Sequence, residues 1–365
     1  MLAATVGKRR YTFKSLYEAM AKANEEKSGD RLAGIAAGSL EERVAAKRVI
    51  AEIPLSRFIE EPAIPYDEDE VTRVILDDLD RGGSEGVAGK TVAGLREWLL
   101  RTETTPEAIA RVRPGLTPEM AAAAAKTMST LDLVLASKKC PVVVRARTTL
   151  GLPGRLGSRI QPNHPGDSAE GVQVSILEGL AYGSGDALIG VNPVEDTLES
   201  FERLSRTIQE VIDRHEVPTQ NCVLAHLTTQ IRAMENRLPV GLVFQSLAGT
   251  EAGNRGFGVS VALLDEAAAA ARERSLVRGE HRFYFETGEG SELSADAHAG
   301  IDQLTLEARC YGLARRYRPF VLNSVVGFIG PEYLADGRQV TRAGLEDHFM
   351  GKLLGIPMGV DACYT

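Results

Sequence analysis

The sequence predicts an α/β protein: a (β/α)8 TIM-type barrel lacking its eighth βα unit, preceded by a mostly helical N-terminal region. Three observations carry that expectation. From about residue 141, short apolar runs rich in β-branched residues alternate with helical stretches, the pattern of a parallel sheet covered by helices. The first of these runs is followed by residues 148–154 (TTLGLPG), not by the G-x-G-x-x-G phosphate turn that a doubly wound open sheet carries there. Residues 1–140 instead hold repeated helix-start signals. The expected division is therefore 1–140, mostly helical, and 141–365, the barrel that carries the active site.

The N-terminal elements follow from capping chemistry. Ser39 and Glu42 form the S-x-x-E of a capping box, in which each side chain satisfies a free backbone N–H. Val44, Val49, Ile50 and Ile53 then recur at helical spacing, and Pro54 closes the run. Thr117 and Pro118 open another helix, with Pro in the first turn, and the alanine-rich residues 120–126 continue it. Between them, residues 77–86 (DDLDRGGSEG) read as a polar, glycine-rich loop.

Seven strand candidates come next, at 141–145, 187–191, 221–227, 241–247, 282–286, 320–326 and 356–362. Helix candidates separate them at about 196–215, 227–237, 260–277, 300–316 and 341–353. A closed barrel needs eight strands. The eighth unit is expected to be missing from this chain, which leaves two unpaired strand edges and predicts a chain that is poorly stable or inactive alone.

Composition excludes several function classes. With 42 Lys+Arg against 50 Asp+Glu, the net charge is −8, which disfavours a broad nucleic-acid-binding face. No apolar stretch is long enough to span a bilayer, and the N-terminus lacks the charge-first pattern of a secretory signal. The four cysteines are scattered without a CxxC pair, which fits a reduced cytoplasmic setting and argues against a disulfide framework or structural zinc. There is no P-loop, H-E-x-x-H or G-x-S-x-G elbow.

In a barrel, the site lies at the C-terminal ends of the strands. The residues there are Arg159 and Gln161, Asn192 and Pro193, His226 with Thr228 and Thr229, Gln245 and Ser246, Glu286 followed by residues 287–291 (TGEGS), Asn323 and Ser324, and Asp361. Two carboxylates converging in a partly dry pocket repel each other unless a cation lies between them, which points to a small ammonium substrate. The arginine and the amides could hold a neutral hydroxyl. Glu286 follows three aromatic residues and is the strongest candidate, because buried carboxylates are rare unless paired or functional. His226 reads as a satisfied core residue. No strand candidate contains the lysine a Schiff-base aldolase needs.

The segments 34–48 (GIAAGSLEERVAAKR), 153–163 (PGRLGSRIQPN), 185–193 (GDALIGVNP), 218–230 (PTQNCVLAHLTTQ), 285–290 (FETGEG), 311–315 (YGLAR), 325–333 (VVGFIGPEY) and 341–352 (TRAGLEDHFMGK) closely resemble the large (heavy) subunit of ethanolamine ammonia-lyase. The resemblance runs from about residue 8 to Thr365. It implies a barrel lyase that uses adenosylcobalamin, through a 5′-deoxyadenosyl radical, to convert ethanolamine to acetaldehyde and ammonia. It also implies a small (light) subunit as partner in a hetero-oligomer, with cobalamin between the two subunits. The expected location is the cytoplasm, which for some relatives means the inside of a bacterial microcompartment.

Carried over by position, Glu286 matches the glutamate that contacts both the amino and hydroxyl groups of the substrate. Gln161 and Asp361 match the other amino partners, and Arg159 and Asn192 the hydroxyl partners. Pro193, Gln245 and Ser294 match positions lining the cobalamin. No metal ligand is implied in the chain itself. Two departures stand out. The family's Met-Gly-Cys-Asp-Cys-Cys-Tyr-Thr is MGVDACYT at 358–365, which keeps the aspartate, and Glu289, Glu292 and Asp296 make the loop after the fifth strand candidate unusually acidic. The alternatives are a truncated, inactive pseudo-subunit with an assembly role, or a different barrel lyase or aldolase.

Overall fold

The computed structural model describes residues 2–288, 293, 295–326, 328–329, 332–333 and 337–362. The chain opens with an antiparallel hairpin, Leu2–Val6 against Arg9–Phe13, which the helical reading of this region did not contain. Its second strand alternates, with Tyr11 and Phe13 turned into the core. Helices then dominate to residue 138, and their starts are chemically marked. The side chains of Ser15, Ser39, Asp69, Thr91, Thr105, Thr117 and Ser129 each accept a hydrogen bond from a backbone N–H of the first turn. The Ser39 box is half formed: Ser39 Oγ accepts from Glu42 N, but Glu42 Oε2 accepts from Gly38 N instead of Ser39 N. The glycine-rich stretch read as a loop contains a helix, Arg81–Ala88, capped by Asp80. A Cβ on Gly83 would lie 3.0 Å from Gly115 N, so glycine lets this helix pack directly on neighbouring backbone.

The alanine-rich helix Pro118–Thr127 is buried over nearly its whole length. Its small side chains let helices Leu40–Ala51, Val92–Leu100, Gln303–Arg316 and Gly337–Leu354 approach it closely. Buried ion pairs tie these helices together. Arg309 Nη1 donates to Glu119 Oε1 at 2.6 Å and Nη2 to Asp69 Oδ2 at 2.7 Å. Lys126 Nζ donates to Asp302 Oδ2 at 2.6 Å, and Lys27 Nζ to Glu346 Oε2 at 2.7 Å.

Among the described residues, seven parallel strands carry the second part of the chain. Arg159–Ile160, Leu188–Val191 and Asn221–Val223 form one ladder, and Val243–Leu247, Phe283–Thr287, Val321–Val326 and Met358–Ala362 the other. Leu242 N donates to Asn221 O at 2.9 Å across the gap between them. Each strand neighbours the next in chain order. Helices Ala169–Ala181, Leu198–Arg214, Leu227–Glu235, Val261–Arg274, Gln303–Arg316 and Gly337–Leu354 connect them. The outcome is a mixed α/β fold with parallel sheets and covering helices; among the described residues no ladder closes the sheet on itself.

One strand expectation is corrected. Residues 141–145 are not the first parallel strand: Val144–Arg145 pairs antiparallel with Thr149–Leu150. The apolar character of that run has another use, because Val142 and Val144 pack under the sheet beside Ala187, Val277 and Phe320. The first parallel strand is the two-residue Arg159–Ile160.

The two faces of the sheet pack differently. Ile189, Val223, Val243, Phe283 and Leu322 join the helices in the main core. Leu188, Cys222, Phe244, Tyr284 and Val321, from successive strands, pack on one another in a core without helix residues. A sheet face fills itself in this way when the sheet curls.

Helix Gly337–Leu354 also carries a titrating group. Burial, reinforced by the charge of Lys352, pushes the His348 imidazole down to about 4. The unfolded chain takes up this proton near the ordinary value of about 6.5, so between these values the unfolded state binds more protons. Stability from His348 is present above about pH 6.5 and is lost as the pH falls toward 4. His348→Gln should therefore flatten the decline of the urea midpoint between pH 7 and pH 5; an unchanged decline would assign it to other groups.

No helix among the described residues is long and apolar enough to cross a membrane.

Candidate active site

The inner face of the sheet brings an arginine from the first parallel strand to a carboxylate on the fifth. Arg159 Nη1 donates to Glu286 Oε1 at 2.8 Å. In a flat sheet, four strand spacings of about 4.8 Å would separate these strands by roughly 19 Å. That is more than the two side chains and the bond between them can span, so the contact requires the curl.

Tyr284 completes the group. It precedes Glu286 by two residues on the same strand, so strand alternation puts both side chains on one face. Its hydroxyl donates to Glu286 Oε1 and accepts from Arg159 Nη1. The Arg159 guanidinium lies over its ring, 5.1 Å from the centroid. Burial, and after it the charge of Glu286, pushes the phenol well above its usual range, so Tyr284 remains a proton donor. Below it, burial likewise raises the Cys222 thiol, which stays protonated and inert.

Arg159 and Glu286 are mostly buried, with side chains 16% and 19% exposed. Both bonds to Glu286 go to Oε1; among the described residues none goes to Oε2. Arg159 Nε and Nη2 are buried without a hydrogen-bond partner among the described residues. Buried guanidinium nitrogens are costly when unpaired, and two of them beside a carboxylate offer donors to a ligand oxygen and an acceptor to a ligand cation. Glu286 is already faced by Arg159; the side chain of Asp361, the second carboxylate of the sequence expectation, lies outside the described residues.

The other expected residues arrange around this centre. Ser246 and Asn323 are in register with Glu286 on either side. Asn323 is also paired with Gly359, and the backbone of Asp361 pairs with Val325 two residues further toward the C-terminal end. Gln161 and Asn192 are exposed on the loops after the first and second parallel strands. Asn163 links these loops, its Oδ1 accepting from Asn192 N and its own N–H donating to Gln161 O, each at 2.9 Å. Among the described residues neither Gln161 nor Asn192 bonds to Glu286 or Arg159. Pro193 beside them is half-buried.

Gln245 is buried; its Nε2 donates to Ser246 O at 2.9 Å, while its Oε1 has no partner. Thr287 Oγ1, on the neighbouring strand, is a second buried oxygen without a partner. Ser294 lies outside the described residues. His226 has a structural role, since its Nδ1 accepts from Thr228 N and its Nε2 faces Phe257 O at 3.1 Å. One residue of the site is missing from the sequence expectation. Tyr284 sits in an apolar strand run and reads as packing, although its i, i+2 spacing to Glu286 is legible. Thr287 is marked by its place directly after Glu286 at the strand end.

No group of His, Cys, Asp and Glu among the described residues could hold a metal ion, and no described strand contains a lysine.

Comparison with known proteins gives one consistent answer. Residues 11–365 match the family described as ethanolamine ammonia lyase large subunit (EutB). The ethanolamine ammonia-lyase large subunit of Escherichia coli (strain K12) is 52% identical over 355 residues, covering 97% of this chain and 78% of the relative. The large subunit from Salmonella typhimurium is likewise 52% identical over 355 residues, with the same coverage. A family match over residues 11–365, with 52% identity across 97% of the chain, makes the chain a member of the ethanolamine ammonia-lyase large-subunit family.

Proposed function

We propose that this lyase binds ethanolamine at the C-terminal ends of its parallel strands and converts it to acetaldehyde and ammonia. The observation that carries this reading is the Arg159–Tyr284–Glu286 group, with two unpartnered guanidinium N–H groups beside a carboxylate. Protonated ethanolamine offers a cation and a neutral oxygen on adjacent carbons, which suits such a pair. The overall change, HOCH2CH2NH3+ to CH3CHO and NH4+, balances without an external oxidant or reductant.

In this reading, Glu286 Oε2 holds the ammonium, with Gln161 and Asp361 as its further partners. Arg159 Nε and Nη2 donate to the substrate oxygen, helped by Asn192. As the amino group moves to the carbon bearing the hydroxyl, Glu286 sits beside both groups and can hold the proton exchanged between them. Arg159 stabilises the oxygen as it becomes a carbonyl. The buried inner face below the group keeps water away from reactive carbon.

Adenosylcobalamin, when bound, supplies the carbon radical that starts hydrogen transfer. Its rim carries amide side chains, which donate and accept hydrogen bonds, and the unpartnered Oε1 of Gln245 and Oγ1 of Thr287 suit such a group. Gln245, Pro193 and Ser294 would hold it. The reading also takes the parallel strands as those of a TIM-type barrel (141–365) set against a mostly helical region (1–140). Their chain-order pairing and the contact between the first and fifth strands support this. A small subunit is the expected partner, and the buried thiols of Cys140, Cys222 and Cys310 suit a reducing cytoplasm.

The test is to combine the chain with the small subunit and adenosylcobalamin without oxygen, and to add ethanolamine. Acetaldehyde and ammonia should appear in equal amounts, with a substrate-dependent change in the cobalamin spectrum. A preparation that binds cobalamin and yields neither product would overturn the reading.

A further inference from the structure

The geometry points to Tyr284 as the positioning residue of this site, a role that rests on the reading above and goes beyond its substrate contacts: it keeps Arg159 and Glu286 from neutralising each other in a closed pair. An arginine and a carboxylate left alone in a buried recess form a two-pronged pair, with both carboxylate oxygens and two guanidinium nitrogens engaged. A substrate would then have to break that pair before binding. The observed arrangement differs. Only Nη1 reaches the carboxylate, and only at Oε1.

Tyr284 accounts for both restrictions. Its hydroxyl donates to the same Oε1, so that oxygen is doubly held and the carboxylate cannot rotate freely toward the guanidinium. The hydroxyl also accepts from Nη1, which directs that nitrogen downward. Its ring lies beneath the guanidinium carbon, 5.1 Å from the centroid, while Nε and Nη2 have no partner among the described residues. The ring itself is fixed by packing against Phe244, with centroids 5.5 Å apart, and by the inner core. One side chain thus presents a carboxylate oxygen and two N–H groups at once, preorganised for a ligand. It touches no substrate atom in this account and acts only through its two neighbours.

The test is Tyr284→Phe in the complete enzyme with its small subunit and adenosylcobalamin, beside wild type. The ring and its contact with Arg159 remain, and only the hydroxyl is lost. Closure of the pair should raise KM for ethanolamine about tenfold and lower kcat/KM by about ten- to a hundredfold, as for one charged hydrogen bond. A merely structural role would lower the active fraction and the melting temperature while leaving KM unchanged. Val277→Ala, in the same inner core, serves as the packing control, with a lower melting temperature and KM within twofold of wild type. An active wild type whose Tyr284→Phe variant keeps the wild-type KM overturns this inference alone. A wild type that binds cobalamin but makes no acetaldehyde overturns the reading of the site, and this inference with it.

Discussion

Glu286→Gln should reduce kcat/KM for ethanolamine by about a thousandfold or more while leaving the fold intact. The substitution keeps shape and volume but removes the negative charge. Oε1 now accepts from both Arg159 and Tyr284, and a glutamine carbonyl could still do so, so the local packing survives. The second position becomes an amide NH2, which donates where an ammonium needs an acceptor. The substrate cation then meets the Arg159 guanidinium without a counter-charge. Loss of one preorganised electrostatic partner costs about 10²–10³ in rate, and the replacement of attraction by repulsion adds to it. The measurement is steady-state kinetics with circular dichroism and cobalamin affinity as controls. A variant within tenfold of wild type, properly folded, would remove Glu286 from the chemistry.

Arg309→Met should be the most destabilising single change in the helical part of the molecule. Arg309 is fully buried and donates to Glu119, Asp69, Thr72 and the carbonyl of Gly249. Methionine fills much of the space but strands two buried carboxylates. Removing one partner of such a set costs about 3–5 kcal/mol, because the remaining charges have lost their water and their partner together. Asp69 cannot turn to solvent, since it also caps helix Glu70–Asp77 and accepts from Glu251 N at 2.6 Å. Chemical denaturation should register the loss as a lower midpoint with an unchanged slope. Adding Glu119→Gln to the variant should recover part of it, by neutralising one stranded charge. A loss below about 1 kcal/mol would mean the network contributes little net stability.

Much of this architecture is legible in the sequence because it rests on local signals. Six of the seven parallel strands coincide with apolar, β-branched runs, and five of the helices from 198 onward overlap the candidates between those runs, while the short helix Glu251–Gly256 has no candidate. The first parallel strand is not legible. Arg159–Ile160 is two residues long and flanked by glycine and proline, so it has no run to detect; the apolar run before it is spent on a plug beneath the sheet. Helix Ala169–Ala181 is hidden for a related reason, since Val174 and Tyr182 face outward and blur its apolar stripe. The helix at Arg81–Ala88 depends on glycines packing against Gly115, a tertiary fact that no propensity carries.

The site is legible as a set of residue types at strand ends, and Arg159 and Glu286 do meet. What one-dimensional reading lacks is the pairing itself: a bond across 127 positions of sequence depends on curvature. It also lacks the phenol between them, because an aromatic residue in an apolar run looks like packing until its hydroxyl finds a partner.

That long-range bond gives the molecule the property of a mechanical assembly with accumulating tolerances. Arg159 and Glu286 are brought to each other through the intervening chain of registers, Arg159 against Leu188, Ile189 against Asn221, Asn221 against Leu242, and Phe244 against Tyr284. An error of one residue at any joint displaces the two groups by about 3.3 Å and turns one of them to the wrong face. The recess is therefore a gauge that reads the alignment of five strands at once. Damage at a distant joint reaches the chemistry while the helices, fastened by their own ion pairs, still hold the molecule together.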